Sequence, residues 1–167
     1  DVLRGWLGDH FDASKLLWRG STDGFTPKAF HSRCDNRGAT LTIIKSTNDW
    51  IFGGYNPSDW SSTGGYSESY GSFLFTLTNP HGIPPTQYFY KDRHTFFNIQ
   101  PKAVMNNTRF GPTFGEGHDL VVWPGCRTVP PYTKFPSSYT DTTGFGHATF
   151  TGNLEFSVKE VEVFAIS

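Results

Sequence analysis

The sequence predicts a mostly β fold: a sandwich of two antiparallel sheets with one or two short helices at its edge. Three observations favour this class. Aromatic residues make up 17% of the 167 residues, and 18 Gly and 11 Pro imply frequent turns. Short runs rich in β-branched and aromatic residues recur between these turns, as is typical of strands in an all-β domain. Only one segment carries the signals that begin and end a helix.

The N-terminal segment is expected to cover the core rather than to form a strand. Residues 1–15 place Leu, Trp and Phe near helical spacing, interrupted by Gly5 and Gly8. We therefore expect a short helical or irregular segment with an aromatic stripe packed on the core. Residues 16–19 (Leu-Leu-Trp-Arg) predict the first strand, and the Ser, Asp and Gly of residues 20–24 predict a turn.

The clearest helix signal follows that turn. Thr26 is a suitable N-cap, and Pro27 stands at the first helical position, where a missing N–H costs nothing. Phe25 and Phe30 have the spacing of a hydrophobic staple across this cap. We predict a helix that ends near Asp35.

The rest of the chain predicts a succession of short strands. Residues 40–46 and 50–55 form a hairpin, in which Gly53 and Gly54 indicate a bulge or a close approach of the backbone. The other predicted strands cover residues 72–78, 88–90, 95–100, 103–105, 120–123, 154–158 and 160–166. Residues 124–152 form the longest irregular region, and this length predicts either an insertion or a functional loop.

Composition excludes some classes of function. The formal net charge is -1 and no basic block is present, so nothing favours nucleic-acid binding. No apolar run approaches the roughly 18 residues that cross a bilayer, so we expect no membrane insertion.

Cys34 and Cys126 are compatible with one disulfide or with two reduced thiols, and we expect Cys34 to be a buried structural thiol. Asn106 begins a glycosylation sequon, which has meaning only in a secreted protein.

One stretch concentrates polar groups, namely residues 110–123, which contain Glu116, His118 and Asp119. These residues allow three interpretations: a metal loop, an acid–base pair, or a structural joint that leads into a strand. A metal site needs several converging donors, and the other histidines show no ligand spacing. We therefore favour the joint and expect no catalytic residue, cofactor or metal ligand. Its glycines would supply special backbone angles, at Gly111, Gly115 and Gly117.

Aromatic side chains in predicted loops support a different hypothesis. Tyrosine and tryptophan rings can stack on the apolar faces of sugars while their polar atoms stay hydrated. The candidates for such a carbohydrate-binding, lectin-like surface are Trp60, Tyr66, Tyr70 and Tyr139. A less favoured hypothesis is that the chain is an enzyme that uses Glu116, His118 and Asp119.

Six segments, in the same order, resemble the TLDc domain family. They cover residues 16–35, 40–45, 51–55 with Trp60 following, 72–77, 111–120 and 156–164. The resemblance extends from about Leu3 to Ile166 and is weakest over residues 124–152. It implies a two-sheet sandwich with helices at its edge, forming a single domain over residues 1–167 that is a module of a longer protein.

The resemblance also implies a function. TLDc domains are regarded as non-enzymatic, and family members are linked to oxidative-stress resistance and to regulation of the vacuolar proton-pumping ATPase. We therefore expect a protein-interaction domain that acts in the cytoplasm, or at a membrane surface through a partner such as a subunit of that pump. The candidate contact surface is Glu116, His118, Asp119 and Trp60. The candidate structural glycines are Gly53, Gly54, Gly111, Gly115 and Gly117.

Overall fold

The computed structural model describes residues 2–91, 101–123 and 129–166. These residues form two antiparallel β-sheets. The strands are β1 (Leu16–Arg19), β2 (Thr40–Ser46), β3 (Ile51–Asn56), β4 (Tyr66–Ser67), β5 (Phe73–Thr78), β6 (Thr86–Phe89), β7 (Val104–Met105), β8 (Thr113–Phe114), β9 (Leu120–Val121) and β10 (Val158–Ala165). The larger sheet has the order β1-β10-β2-β3-β5-β6, and the smaller has the order β4-β7-β8-β9. The predicted fold class, a two-sheet antiparallel sandwich with short helices at its edge, is confirmed.

The helices of the described residues are short and lie in the N-terminal part of the chain. They are α1 (Val2–Leu7), α2 (Gly20–Asp23) and α3 (Pro27–Cys34), with 3-10 turns at Gly8–His10, Ala13–Lys15 and Gly146–Ala148. The Thr26 side chain accepts a hydrogen bond of 3.1 Å from the Ala29 amide, so α3 begins as predicted. The turn predicted at residues 20–24 is wrong, because a full helical turn forms before Gly24 ends it at φ 107°.

The predicted staple at the start of α3 is replaced by other aromatic contacts. The Phe25 ring packs against Trp123, with 5.4 Å between ring centroids. Phe30 is fully buried and packs against Trp18 and Trp60 instead. Phe25, which precedes α3, therefore packs on the end of the 110–123 stretch, whereas Phe30 packs in the main core.

The larger sheet is buried on both faces. On its outer face, β2 and β5 meet α1 through a cluster of Leu3, Leu7, Leu41, Phe73 and Phe75. On its inner face lies the main core, shared with the smaller sheet, whose largest members include Trp18, Phe52, Trp60, Phe114, Tyr139 and Phe150. Burial of both faces agrees with the absence of exposed residues from β2 and with the run of apolar residues that begins β5. The expected packing of the N-terminal segment on the core is confirmed.

Several predicted strands differ from the observed ones. The strand at residues 88–90 lies at Thr86–Phe89, and the one at 120–123 ends at Val121. The strand predicted at residues 154–158 is wrong, because there Glu155 makes only an isolated bridge to Tyr132 before β10 begins. The predicted strand at residues 95–100 lies outside the described residues.

The region predicted as an insertion or a functional loop contributes to the core. Its described part, residues 129–152, buries Phe135, Tyr139 and Phe150 completely. Tyr88 from β6 packs against both Phe135 and Phe150. This segment therefore completes the second layer of the sandwich with irregular backbone, and an insertion that projects from the fold is ruled out for these residues.

Two local predictions concern Cys34 and Asn106. Cys34 is a free thiol at the end of α3, and burial raises its pKa, in agreement with a structural role. Cys126 lies outside the described residues. Asn106 is 2% exposed, and its side-chain nitrogen donates to Ser67 Oγ at 2.7 Å. The sequon nitrogen is thus inaccessible in the folded domain.

None of the helices in the described ranges has the length and apolarity needed to cross a bilayer.

Candidate functional site

The 110–123 stretch contains the tight connection between β8 and β9. The turn depends on two left-handed residues, Gly115 at φ 88° and His118 at φ 59°. The Gly115 amide donates to the Ala103 carbonyl at 2.6 Å, and the His118 amide donates to the Gly115 carbonyl at 3.2 Å. This geometry directs the neighbouring side chains in different directions. Glu116 is exposed, His118 is partly buried and Asp119 is fully buried.

Asp119 holds the 129–152 segment to the smaller sheet. Its carboxylate accepts hydrogen bonds from the amides of Ser137 at 2.7 Å, Ser138 at 2.8 Å and Tyr139 at 3.0 Å. Burial raises the pKa of Asp119, and the three amides oppose this change because they stabilise the charged form. The predicted role of Asp119 in a contact surface is wrong, since its side chain is fully buried.

His118, like Asp119, is hydrogen-bonded to the 129–152 segment. Its Nδ1 lies 2.6 Å from the Tyr132 hydroxyl, and its carbonyl accepts from the Lys134 amide at 3.0 Å. Burial lowers the pKa of His118, and the positive charge of Lys134 adds to this effect. The neutral imidazole is therefore favoured, and it joins the turn to the 129–152 segment.

Glu116 is the member of the trio that faces solvent. Its carboxylate lies 3.1 Å from Lys102 Nζ, and both side chains are substantially exposed. The same ammonium lies 5.3 Å from the centre of the Tyr66 ring, which is a cation–π distance. Glu116 thus belongs to a surface that includes β4.

The three polar residues do not combine into one reactive centre. A general acid or base must come within hydrogen-bond reach of a substrate, whereas the Asp119 carboxylate is enclosed by backbone amides. Over the described part of the chain, no group of three or more His, Cys, Asp or Glu side chains could hold a metal ion. The geometry of the described residues agrees with the structural joint among the three interpretations of this stretch.

Trp60 was predicted to lie in a contact surface, and this prediction is wrong. The side chain is fully buried between Phe30 and Phe114. Its indole N–H donates to Thr40 Oγ1 at 2.8 Å, which satisfies the polar atom of the ring in the interior. Trp60 therefore connects the loop after β3 to the inner face of the larger sheet.

The candidates for a sugar-binding surface are similarly divided. Tyr139 is fully buried, and its hydroxyl donates to the Ala103 carbonyl at 2.8 Å. With Trp60 also buried, two of the four rings are removed from any such surface. Tyr66 and Tyr70 are exposed by 39% and 52% of their areas.

The five candidate structural glycines all lie where a side chain would be obstructed. At each, an added Cβ would come within 3.0 Å of another atom. Gly53 and Gly111 face backbone carbonyls, whereas Gly54 faces the Phe114 ring. Gly115 and Gly117 face Asp119 and Ser137, which are the two sides of the carboxylate–amide contact. Close approach therefore accounts for all five positions, whereas a left-handed backbone, expected at Gly111, Gly115 and Gly117, is found only at Gly115 among these three.

Sequence reasoning missed the role of His31. This buried histidine on α3 places Nδ1 2.7 Å from Asp35 Oδ1. Its Nε2 lies 2.9 Å from the Asn107 carbonyl and 3.0 Å from that of Phe110. His31 thus attaches α3 to the start of the 110–123 stretch. The spacing of His31 and Asp35, four residues apart on a helix, was the available signal.

Sequence reasoning named Tyr66, Tyr70 and Glu116 in separate hypotheses but did not place them on one exposed surface around β4, the end strand of the smaller sheet. We call it the β4 surface and define it by Asp59, Tyr66, Glu68, Tyr70, Lys102 and Glu116. On one side it contains the contact between Lys102 and Glu116. On the other side is an open pocket of about 510 Å³, whose lining includes Asp59, Glu68 and Tyr70.

Comparison with known proteins identifies the family of the chain. A family model described as the TLDc domain matches residues 8–167. A search of curated proteins found no match to this sequence. The family match covers nearly the whole chain, including all ten described strands. The chain therefore belongs to the TLDc domain family.

Proposed function

We propose that this chain is a non-catalytic protein-interaction domain that regulates the vacuolar proton-pumping ATPase and, through it, resistance to oxidative stress. Membership of the TLDc family supports the proposal. It would act in the cytoplasm or at a membrane surface, held there by its partner. The observation that carries the non-catalytic part is the dispersal of Glu116, His118 and Asp119 between surface and interior.

The architecture of the described residues suits a binding platform. Two sheets share an aromatic core, and the turn after β8 is attached to the 129–152 segment by the Asp119 carboxylate. A rigid sandwich of this kind presents its surface groups in fixed positions, which reduces the entropy lost on binding. The β4 surface offers two exposed tyrosine rings, a residue type enriched in protein interfaces, beside charged side chains of the kind found at the polar rim of an interface.

Regulation would follow from unequal affinity for two states of the pump. A ligand shifts an equilibrium only by the difference between its affinities for the two states. A domain that binds one assembly state of the pump more tightly would increase the population of that state. The domain would need no catalytic activity to have this effect.

Pull-down experiments with the cytosolic sector of the pump test the proposal. The immobilised chain is expected to retain that sector and to change its ATPase activity. A suitable control is the chain carrying Asp119→Ala, because loss of the buried carboxylate should disrupt the platform without removing an exposed contact residue. Absence of retention and of any change in activity would contradict the proposal.

Direct chemistry is tested separately in cells. Substitution of Glu116→Ala, His118→Ala and Cys34→Ala, one at a time, is expected to leave oxidative protection in place as long as each variant is folded. Thermal melting provides the control for folding. Loss of protection in a fully folded Glu116→Ala variant that still retains the pump sector would favour an enzymatic role.

A further inference from the structure

The β4 surface has two halves that share the same chemistry. In the first half, a tyrosine ring and a carboxylate hold an ammonium group: Lys102 Nζ lies 3.1 Å from Glu116 Oε1 and 5.3 Å from the centre of the Tyr66 ring. The charge is thus neutralised by a carboxylate while the cation contacts an aromatic face. A tyrosine ring beside a carboxylate is thus an arrangement that already holds a cation within this chain.

The second half has a similar set of groups around the open pocket of about 510 Å³. Tyr70 is 52% exposed, and Glu68 and Asp59 are exposed carboxylates. Within the described ranges, neither carboxylate forms an ion pair with a lysine, arginine or histidine. The described lining contains serines and Asn36 but no cationic side chain. The pocket therefore has a negative charge that the described part of the chain leaves uncompensated.

Buried groups hold the walls of this pocket in place. Asn56 is fully buried, and its Oδ1 accepts from the Ser58 amide at 3.0 Å and from the Ser69 hydroxyl. Asp59 accepts from the Gly38 amide at 2.5 Å, which orients its carboxylate. Ser58, Asp59 and Ser69 all line the pocket. The Asp59 carboxylate is thus positioned before any ligand arrives, so less ordering of this group is needed on binding.

We propose that this pocket receives an arginine side chain of a protein partner. A guanidinium group matches carboxylates with paired N–H donors and also stacks on aromatic rings, whereas an ammonium is a point charge. Asp59 and Glu68 supply the carboxylates, and the exposed ring of Tyr70 supplies the aromatic face. The proposal rests on the proposed function, since it names the side chain by which a partner is recognised.

The direct test is a nuclear magnetic resonance titration of the full chain with a short blocked peptide that contains arginine among glycines and serines. Amide shifts are expected at residues 58–59 and 67–70. A peptide with citrulline, which keeps the shape but lacks the charge, should give much smaller shifts. The double variant Asp59→Asn, Glu68→Gln should bind the arginine peptide about five- to tenfold more weakly, because two exposed charge pairs are lost.

Two further variants keep this test decisive. Glu68→Lys removes a side chain without a hydrogen bond to the described residues, so the fold should persist while the arginine peptide is repelled. Glu155→Gln neutralises an exposed carboxylate away from the pocket and should bind as the unsubstituted chain does. Unchanged binding by Glu68→Lys would overturn the proposal. Shifts at these residues with a soluble trisaccharide but not with the arginine peptide would overturn it too.

The same variants separate this inference from the proposed function. Retention of the pump sector by the original chain but not by Glu68→Lys would support both. Equal retention by the two chains would overturn the arginine pocket and leave the pump proposal standing. Peptide binding without retention of the pump sector would support the pocket and contradict the choice of partner.

Discussion

Asp119 and Glu116 lie in the same turn, three residues apart, yet they serve opposite parts of the molecule. The Asp119 carboxylate is fully buried and accepts from the amides of residues 137–139. The Glu116 carboxylate is exposed and, among the described residues, pairs with the exposed side chain of Lys102. Residues that are clustered in the sequence therefore need not be clustered in space, because a turn with two left-handed residues directs successive side chains apart.

The two regions should therefore differ in what a substitution changes. In the interior region, a lost group leaves buried donors unsatisfied, and the cost falls on stability. In the β4 surface, water replaces a lost partner, so the cost falls on binding. Substitutions in the two regions test this difference between an effect on stability and an effect on binding.

The largest effect is expected for Asp119→Ala. Three backbone amides, that of Tyr139 buried and the other two partly buried, would lose a buried acceptor, so the free energy of unfolding should fall by about 3–5 kcal/mol. Urea denaturation measures this loss. Glu155→Ala, which removes an exposed carboxylate, should change stability by no more than about 0.5 kcal/mol. A loss below about 1 kcal/mol for Asp119→Ala would show that the carboxylate is not a structural clamp.

A smaller loss is expected for Gly115→Ala. The added Cβ would meet the Asp119 carboxylate, and alanine is strained at φ 88°. Together these effects should lower the free energy of unfolding by about 1–3 kcal/mol. Gly65→Ala is the matched control beside β4, where an added Cβ meets nothing within 4 Å. Equal stabilities of the two variants in thermal melting would contradict the close approach at Gly115.

The next effect depends on pH. Burial lowers the pKa of His118 below its ordinary value of 6.5, so the unfolded chain takes up this proton first as the pH falls. The contribution of neutral His118 to stability should be complete above pH 6.5 and should decrease as the pH falls through that value to the folded pKa. Comparison of the pH profiles of the original chain and His118→Gln isolates this contribution.

A control for the histidine keeps its ring and removes its partner. Tyr132→Phe lacks the hydroxyl that lies 2.6 Å from Nδ1 but still contains the titrating imidazole. It should lose some stability at every pH and retain the dependence on pH. A stability difference between the original chain and His118→Gln that stays constant across this range would refute the assignment.

The smallest effect is expected for Glu116→Gln. The lost pair with Lys102 is exposed, so the free energy of unfolding should change by no more than about 1 kcal/mol, and by less at high salt. A double-mutant cycle with Lys102→Gln measures the coupling of the pair. A coupling as large as the loss for Asp119→Ala would abolish the distinction between the two regions.

Several elements could be predicted because their signals are local. Thr26 and Pro27 marked the start of α3, and the β-branched run at residues 40–46 marked β2. Gly53 and Gly54 inside a strand predict a bulge or a close backbone approach, and an added Cβ at either would meet a neighbouring atom. Such signals depend on backbone preferences within a few residues, so the sequence contains them directly.

Burial of the loop aromatics could not be predicted in the same way. Trp60 and Tyr70 both lie in polar, glycine-rich surroundings, yet one is fully buried and the other is half exposed. Trp60 is buried because its ring packs between Phe30 and Phe114 and its N–H donates to Thr40, all of which are distant from it in the sequence. The composition around residue 60 does not indicate these contacts.

The sequence by itself determined the fold class, the main strands and helix α3, and the family. Tertiary structure alone decided the roles of Glu116, His118 and Asp119. Strand and helix preferences act over neighbouring residues, and six ordered motifs are enough to specify a family. The role of a carboxylate depends instead on what surrounds it: the amides of residues 137–139 enclose Asp119, whereas Glu116 meets Lys102 and water. Those surroundings exist only after the 129–152 segment has packed against the sheet.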